Sequence, residues 1–226
     1  MDLYEAMRTT FAAREFTGDP LPDDVLYRIL DNARFAPSGG NRQGARVVVV
    51  RAQETRRELA RLVLPGARRY IAQRTAGENP WNSITPCGVD AQTIARTEVP
   101  RSMTQPLLDA AVVLVVCVDL RVVASVDKEL PRVGVVSGAS VYPFVWNILL
   151  AARNEGFGGT ITTFAIAEEA GIKALLGIPD HCAVCAVLPL GKPAKQLTRL
   201  KRLEVAALTM QERWGGAPLA RPDPPG

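Results

Sequence analysis

The sequence of 226 residues has few of the side chains that perform catalysis by themselves. It holds one histidine, His181, and no serine in a G-x-S-x-G motif, so a Ser-His hydrolase is not indicated. No G-x-x-x-x-G-K-[ST] motif is present, and the glycine-rich run from 156 to 163 has Ile161 where G-x-G-x-x-G needs its last glycine. P-loop and dinucleotide Rossmann sites are therefore not expected. A bound cofactor is the natural source of any chemistry.

Cysteine is also scarce, with four residues in the chain. Cys182 and Cys185 form a C-x-x-C, but they lie in an apolar run that is typical of a strand. Strand positions three apart point to opposite faces of the sheet, so these two thiols cannot chelate one ion. A second C-x-x-C is missing, and the sequence predicts no metal site. Buried, reduced thiols are expected, which is consistent with a cytoplasmic protein.

Long apolar runs are limited to one candidate. Residues 133–152 carry no charge and are long enough to span a bilayer. They include glycine, serine, proline and asparagine, which favours a helix buried in a core or a subunit interface. The N-terminal residues lack the basic and apolar regions of a signal peptide. No membrane contact is predicted.

The net charge is +4, from 27 Lys and Arg against 23 Asp and Glu. The arginines are spread along the chain and form no stripe, so a nucleic-acid partner is not predicted. A few of them could instead bind a compact anion such as a phosphate.

Apolar periodicity and β-branched runs predict the order of elements. Helices are expected at 2–11, 22–36, 53–64, 131–154 with a kink near Pro143, and 165–176 with Thr163 as its cap. Strands are expected at 45–52, 110–118 and 182–190, and a fourth is expected to follow the glycine-rich run that starts at 156. Residues 65–106 are expected to form an irregular excursion or lid, in which Trp81, Arg96 and Arg101 could line a pocket. A final amphipathic stretch should reach Trp214. The pattern predicts one domain over residues 1–214, a sheet covered by helices, and a flexible tail at 215–226.

The loop at 36–43, Ala-Pro-Ser-Gly-Gly-Asn-Arg-Gln, is unusually rich in groups that could contact a ligand. Pro37 ends the preceding helix, and Gly39 allows close approach of another group. Ser38, Asn41 and Gln43 add small hydrogen-bonding side chains. Taken alone, a capped turn remains the simpler interpretation.

Several motifs follow one another in the order found in the FMN-dependent nitroreductases. They are R-x-F at 14–16, A-P-S-x-x-N-x-Q at 36–43, N-x-L-L-x-A at 147–152, G-F-G-G-T at 156–160, L-G-I-P at 176–179 and L-G-x-P at 190–193. The A-P-S-x-x-N-x-Q element is fairly specific, and the others are persuasive as a series. With a basic patch before the C-terminal segment, the chain resembles this family over about residues 1–215.

The resemblance implies an α+β fold: a three-layer α-β-α sandwich around a mixed, largely antiparallel sheet. It also implies a homodimer with shared flavin sites, in which the helix around 142–150 forms the dimer core. The implied cofactor is FMN, and NADH or NADPH is the implied co-substrate. The residues that the resemblance assigns to FMN are Arg8, Thr10, Arg14, Pro37, Ser38, Gly39, Asn41, Gln43, Gly158, Gly159, Thr160, Arg199 and Arg202.

The resemblance also implies roles by position. Arg14 would lie near the pyrimidine edge of the flavin, where a cation stabilises the reduced ring. Backbone N–H groups of residues 158–160 would address the flavin N5 region. The loop at 37–43 would approach the flavin of the partner subunit. Arg199 and Arg202 would hold the phosphate, with help from the first helix.

Two departures from the family pattern bear on FMN affinity and substrate range. The family often has R-R-S-x-R where this chain has Thr-Phe-Ala-Ala-Arg at 10–14, so an Arg and a Ser that usually help to hold the phosphate and ribityl chain are replaced. The family's Q-P-W is Gln-Gly-Ala at 43–45. Arg8, one turn earlier, is a candidate to compensate.

The implied reaction is hydride transfer from NAD(P)H through flavin N5 to a small-molecule acceptor: a nitroaromatic, a quinone or a similar conjugated compound. No side chain is assigned a catalytic role. Three alternatives stay open: a flavin-remodelling or dehydrogenating relative with the same fold, a flavin- or deazaflavin-binding protein without turnover, and a dimeric structural protein with an empty cleft.

Overall fold

Helices and strands alternate along residues 1–221, which are the residues that the computed structural model describes. The helices are α1 Leu3–Thr9, α2 Asp23–Ala33, α3 Gln53–Thr75, α4 Ala91–Arg96, α5 Gln105–Asp109, α6 Tyr142–Asn154, α7 Glu169–Leu176 and α8 Val205–Leu208. The strands are β1 Ala45–Val50, β2 Val112–Asp119, β3 Gly158–Gly159 and β4 Cys182–Gly191. Short 3-10 helices lie at Gly39–Asn41, Arg101–Met103, Val136–Ser140 and Phe164–Glu168.

The four strands form one sheet in the order β1-β2-β4-β3. Each ladder is antiparallel, with Val48 opposite Val115 and Val115 opposite Val187. An isolated parallel bridge between Ala12 and Gly159 extends the edge beyond β3. The predicted α+β class with a mixed, largely antiparallel sheet is confirmed.

Strand β2 is buried along its whole length and divides the core in two. Its side chains alternate between the faces of the sheet, as a pleated strand requires. Val112, Leu114, Val116 and Val118 pack against α2 and α6, whereas Val113, Val115 and Cys117 pack against α3, α5 and α7. Helices therefore cover both faces, and the predicted three-layer sandwich is confirmed.

The apolar stripe predicted for the second helix is correct. Leu26, Ile29 and Ala33 are buried in α2, and Val25 and Leu30 pack beside them.

The predicted end of the third helix near residue 64 is wrong, because α3 continues through Pro65 to Thr75. Proline costs the helix one hydrogen bond, but tertiary packing holds this part in place. A Cβ on Gly66 would lie 2.3 Å from the carbonyl oxygen of Phe164, so this glycine lets α3 approach the segment after β3 closely. The irregular excursion therefore begins at about residue 76, and it contains two short helices, α4 and α5.

Arg56, near the start of α3, fixes the end of α5. Its guanidinium, 5 % exposed as a residue, donates to the carbonyl oxygens of Ala110 at 2.5 Å and Ala111 at 2.8 Å, and more weakly to Leu108 at 3.4 Å. These carbonyls end one helix and begin β2. A buried cation thus joins two elements that the sequence separates widely.

The single kinked helix predicted over 131–154 is also wrong. Residues 120–141 are loop and 3-10 helix, and α6 begins only at Tyr142, with Pro143 in its first turn. Proline is well suited to the first turn, where its missing N–H has no intrahelical partner. The uncharged stretch is therefore a loop followed by a helix.

Other helix boundaries also differ from the predictions, and α2 ends at Ala33, three residues before the predicted end. The first helix ends at Thr9, which leaves Phe11 outside it, and Asp2 makes no side-chain cap. Thr163 likewise caps nothing, since a 3-10 turn at Phe164–Glu168 precedes α7. The last amphipathic stretch is helical only over Val205–Leu208.

Cys182 and Cys185 contact opposite faces of the sheet, as predicted. Burial raises the pKa of Cys117 to about 12 and that of Cys185 to about 11, so both thiols stay protonated at neutral pH. In the described part of the chain, no cluster of His, Cys, Asp and Glu could hold a metal ion. Among residues 1–221, no helix has both the length and the apolarity to cross a membrane.

Candidate functional site

A cavity of about 340 Å³ opens where the end of α3 meets the segments after α4 and β3. Its volume is at the lower end of the range for small-molecule sites, roughly 300–1,000 Å³. It is lined by Arg14, Tyr70, Arg74, Ser102, Met103, Pro106, Leu107, Thr160, Ile161, Thr162, Thr163, Phe164 and Pro189. Two residues predicted for the site, Arg14 and Thr160, therefore line the same cavity, which we call the Arg14 cavity.

The backbone around Arg14 is held on both sides. The amide of Ala13 donates to the carbonyl of Gly159 at 2.9 Å, and the amide of Thr17 donates to the carbonyl of Lys192 at 2.9 Å. The Arg14 side chain itself is exposed and makes one weak bond, from Nη1 to the carbonyl of Ala12 at 3.3 Å. A guanidinium on a fixed backbone is thus left available to a ligand.

The glycines at 158 and 159 are required by the chain's own packing. A Cβ on Gly159 would lie 2.4 Å from both the carbonyl oxygen of Pro189 and a methyl of Leu190, and one on Gly158 would lie 2.9 Å from the ring of Pro193. The glycines are therefore needed for this packing, and the contact of their backbone N–H groups with the flavin N5 region stays a prediction. Of the three residues at 158–160, Thr160 is the one that lines the cavity.

Thr160 is 5 % exposed and lines the cavity, and its hydroxyl makes no hydrogen bond within residues 1–221. It follows the close contact between β3 and β4 directly. The backbone position of Thr160 is therefore as well fixed as that of Arg14.

The loop at 36–43 does form the tight turn that its sequence predicts. Gly40, Asn41 and Gln43 all have positive φ, at 61°, 53° and 50°. The hydroxyl of Ser38 accepts the amide of Gln43 at 3.0 Å, which closes the turn. The amide of Gly39 donates to the hydroxyl of Ser140 at 3.0 Å, which ties the loop to the segment before α6.

This loop does not reach the Arg14 cavity of its own chain. Pro37, Ser38 and Gln43 line a separate cavity of about 210 Å³, together with Arg34, Ala36, Ala45, Arg46, Ser140 and Phe144. Gly39 and Asn41 line neither of these two cavities. Their assignment to the flavin of a partner subunit stays a prediction.

The residues predicted to hold the phosphate lie outside the cavity as well. Arg8, Arg199 and Arg202 are exposed, and Arg202 donates to the carbonyl of Lys201 at 2.7 Å. Thr10 is buried, and its hydroxyl donates to the carbonyl of Ala6 at 2.7 Å.

One contact connects the two predicted phosphate regions. The side-chain amide of Gln196 donates to the carbonyl of Thr9 at 3.1 Å, so the start of the C-terminal basic segment lies against the end of α1.

Sequence reasoning missed the residues that α3 brings to the cavity. Tyr70 and Arg74 lie beyond Pro65, in the part of the helix that was expected to be irregular. Tyr70 packs edge-to-face on Phe164, with ring centroids 5.2 Å apart. The available signal was the apolar spacing of Val63, Ala67 and Ile71, which continues at helical intervals across Pro65.

An adjoining cavity of about 630 Å³ shares Tyr70, Thr163 and Phe164 with the first. Trp81 lines it, as the sequence suggested for a pocket in the excursion, whereas Arg96 and Arg101 line neither cavity.

The excursion is held against α3 by a small polar network. The amide group of Gln73 accepts from the backbone N–H of Trp81 at 3.1 Å and donates to Glu78 at 2.8 Å. Glu78 in turn accepts the amide of Gly88 at 2.9 Å. The guanidinium of Arg69 stacks 4.2 Å above the Trp81 ring. These contacts fix the wall of both cavities.

The lining of the Arg14 cavity fits a flavin by its chemistry. Aromatic side chains and the apolar Leu107 offer a surface for a planar ring, and Thr160 offers an uncommitted hydroxyl. Among the described lining residues, none is Asp, Glu, His or Cys. A ligand that gains negative charge therefore meets cations and no fixed anion, and no side chain there is an obvious acid or base.

The chain is similar to known proteins over most of its length. The sequence model of the Nitroreductase family matches residues 7–192. The NADH dehydrogenase of Thermus thermophilus is 28 % identical over 196 residues, which cover 87 % of this chain and 89 % of that protein.

Solved structures share the fold at lower identity. The NADPH:FMN oxidoreductase from Vibrio harveyi, complexed with NAD+, matches with a TM-score of 0.65 and 21 % identity, over 93 % of this chain and 76 % of its own. A BluB-like flavoprotein from Clostridium difficile matches with a TM-score of 0.68 and 19 % identity, over 94 % of this chain and 100 % of its own.

Proposed function

This chain belongs to the nitroreductase family, and we propose that it is an FMN-dependent oxidoreductase that uses NADH or NADPH to reduce a conjugated small-molecule acceptor. Nitroaromatics and quinones are the acceptor classes that fit. The proposal rests on one observation: Arg14 and Thr160 line the same cavity, beside aromatic side chains and with no acidic side chain among the described lining residues.

FMN, when bound, would supply the chemistry by accepting two electrons and a proton from NAD(P)H and passing them to the acceptor. With a quinone, NAD(P)H, a proton and the quinone would give NAD(P)+ and the hydroquinone, so atoms and electrons balance. The protein need supply no acid or base from the cavity wall.

Arg14 would bind the ring and hold a fixed positive charge where negative charge accumulates. Its backbone is clamped by Gly159 and Lys192, so the guanidinium need not be ordered from a flexible loop at the time of reaction. Preorganised charge of this kind is more effective than charge that must reorganise. Thr160 would orient the ring by its hydroxyl.

We propose that the working unit is a homodimer. The loop at 37–43 carries exposed hydrogen-bonding groups in strained turns, yet it lies away from the Arg14 cavity of its own chain. A partner subunit would bring the second copy of this loop to that cavity. Arg199 and Arg202 would bind the FMN phosphate, helped by Arg8 and Thr10, near the contact that Gln196 makes with Thr9.

A second candidate function is flavin remodelling or dehydrogenation by the same fold. The similarity to a BluB-like flavoprotein supports it, because that match covers the whole length of the other chain. A protein that binds a flavin or a deazaflavin without turnover is the third candidate, since part of the usual phosphate-binding motif is replaced at residues 10–14.

Colour and turnover test these candidates together. We expect purified protein to be yellow, or to turn yellow with added FMN, and to release FMN on denaturation. It should then oxidise NADH or NADPH faster when 2-methyl-1,4-naphthoquinone is added. Unquenched FMN fluorescence at micromolar protein would refute the proposal. Bound FMN with no acceptor-dependent oxidation would favour binding without turnover, and loss of the flavin spectrum under NAD(P)H and oxygen would favour remodelling.

A further inference from the structure

The Arg14 cavity carries a second arginine for which FMN binding gives no role. We propose that Arg74 selects acceptors that carry a carboxylate or sulfonate on a planar conjugated ring. The inference rests on the proposed function, and it names the class of acceptor that this site prefers.

Arg74 has no partner in the described part of the chain. Its side chain makes no hydrogen bond and no ion pair within residues 1–221, which is also true of the exposed Arg57, but only Arg74 of these two lies on the cavity wall. Arg69, on the same helix, is stacked on Trp81. A guanidinium without a partner on a cavity wall is ready to bind an anion.

The backbone that carries Arg74 is fixed. The adjacent Gln73 is 2 % exposed and bonds to both Glu78 and Trp81, so the turn after α3 is held against the helix. The backbone position of Arg74 is therefore set before a ligand binds, and little backbone entropy is lost on binding.

A surface role at the helix end explains Arg74 less well. A cation in the last turn of a helix is favoured by the helix dipole, but only weakly when the side chain is exposed. That effect is independent of what the side chain faces. Arg74 instead shares its cavity with Arg14, and no acidic side chain among the described lining residues offsets the two charges.

The rest of the lining indicates a planar anion. Tyr70 and Phe164 form an edge-to-face pair beside Arg74, and Ser102 and Thr163 add hydroxyls. Aromatic faces suit a conjugated ring, and a guanidinium binds a carboxylate or sulfonate with two parallel hydrogen bonds. If Arg14 serves the flavin, Arg74 is the cation left for the acceptor.

The test compares two acceptors and two variants in the FMN-loaded protein. The variants are Arg74→Gln and, as the matched control, Arg57→Gln, which removes the same charge from an exposed position on α3, about 25 Å away along the helix. The flavin is reduced with dithionite, so NAD(P)H takes no part. Reoxidation is then followed in a stopped-flow instrument with 1,4-naphthoquinone-2-sulfonate and with neutral 2-methyl-1,4-naphthoquinone.

We expect Arg74→Gln to lower the second-order rate constant for the sulfonate by about tenfold, which corresponds to about 1.4 kcal/mol and is typical of losing a hydrogen bond to a charged group. The rate for the neutral quinone should stay within about twofold, and Arg57→Gln should change neither. Each variant is compared with wild type for the same acceptor, so the different reduction potentials of the acceptors cancel.

A binding measurement without turnover accompanies the kinetics. Calorimetric titration of the oxidised FMN-loaded protein should show that Arg74→Gln weakens the affinity for benzoate about tenfold and leaves that for benzamide unchanged. Added salt should reduce the difference, because Arg74 is exposed.

Four outcomes would overturn the inference, and one of them also overturns the proposed function. Failure to bind FMN, or to reduce either quinone, would refute both the inference about Arg74 and the proposed function. If Arg74→Gln changes the reoxidation rates with the two quinones equally, or changes neither rate, the inference about Arg74 is refuted and the proposed function is not. A weakened FMN affinity in this variant would assign Arg74 to the cofactor, and a slower reduction by NADPH without a change in reoxidation would assign it to the phosphates of the co-substrate.

Discussion

The backbone amide of Ala13 donates a 2.9 Å hydrogen bond to the carbonyl of Gly159. This bond connects two short segments that lie far apart in the sequence, one before Arg14 and the other before Thr160. It explains why two residues of a candidate flavin site lie on the same cavity wall.

The close contact at Gly159 predicts that Gly159→Ala is destabilising. A Cβ there would lie 2.4 Å from the carbonyl oxygen of Pro189, and backbone cannot move away cheaply. We expect a loss of about 1–3 kcal/mol and a drop in melting temperature of about 2–10 °C. Thermal unfolding followed by circular dichroism measures it.

Gly134→Ala is the matched control, because a Cβ at that position meets nothing closer than 3.6 Å. An equal drop in both variants would mean that close packing at β3 is not the cause.

Arg14→Ala is expected to weaken FMN binding by about tenfold, since it removes a charged hydrogen-bond donor from the cavity. The rate of flavin reduction should also fall, because a fixed cation is lost. FMN fluorescence quenching gives the affinity, and stopped-flow absorbance gives the rate. Unchanged binding and reduction would remove Arg14 from the site, while Arg57→Ala controls for the loss of one positive charge.

Arg56→Ala is expected to cost about 2–4 kcal/mol, because the carbonyl oxygens of Ala110 and Ala111 lose their donor while they remain largely buried, whereas that of Leu108 keeps a bond from Gln53. The adjacent Arg57 is exposed, and its replacement by alanine should change stability by less than about 0.5 kcal/mol. Urea denaturation of the two variants makes the comparison. Similar midpoints would show that the buried cation is dispensable.

Asp127 predicts a pH-dependent contribution to stability. It is 2 % exposed and accepts hydrogen bonds from the amides of Val135 and Val136 and from Arg132. The Val135 amide, followed by the Arg132 guanidinium, holds the pKa of this carboxyl well below its ordinary value of 3.8. A lowered folded-state pKa gives stability that is present above about pH 4 and is lost as the pH falls below it.

Asp127→Asn should therefore lower the urea midpoint at pH 7, and its difference from wild type should shrink between about pH 4 and pH 2. Asp180→Asn is the control, because that exposed carboxylate has no hydrogen bond within residues 1–221. A difference between Asp127→Asn and wild type that stays constant with pH would show that the ionised carboxylate is not the stabilising group.

Local patterns predicted much of the fold. The apolar stripe of α2, the fully buried β2 and the opposed faces of the C-x-x-C were all readable from the sequence, because side-chain periodicity reports which face is buried. The turn at 36–43 was readable as well, since proline, glycine and asparagine are typical of turns, but the positive φ of Gln43 was not.

The predictions that were wrong lie where tertiary contacts override local preference. Pro65 normally ends a helix, but α3 continues because its later turns pack on the 164–168 segment. The same contact brings Tyr70 and Arg74 to the cavity, so the error at Pro65 also hid two site residues.

The sequence by itself determined the family, the layers of the fold and several residues of the candidate site, because these depend on periodicity and on short motifs. Only the tertiary structure decided which of those residues meet. Arg14 and Thr160 share a cavity because β3 and the segment before Arg14 are hydrogen-bonded across the sheet edge. Close packing in this region, including the contacts with β4, explains the glycines at 158 and 159. This packing could not be predicted from the sequence, because no local pattern encodes the distances between remote segments.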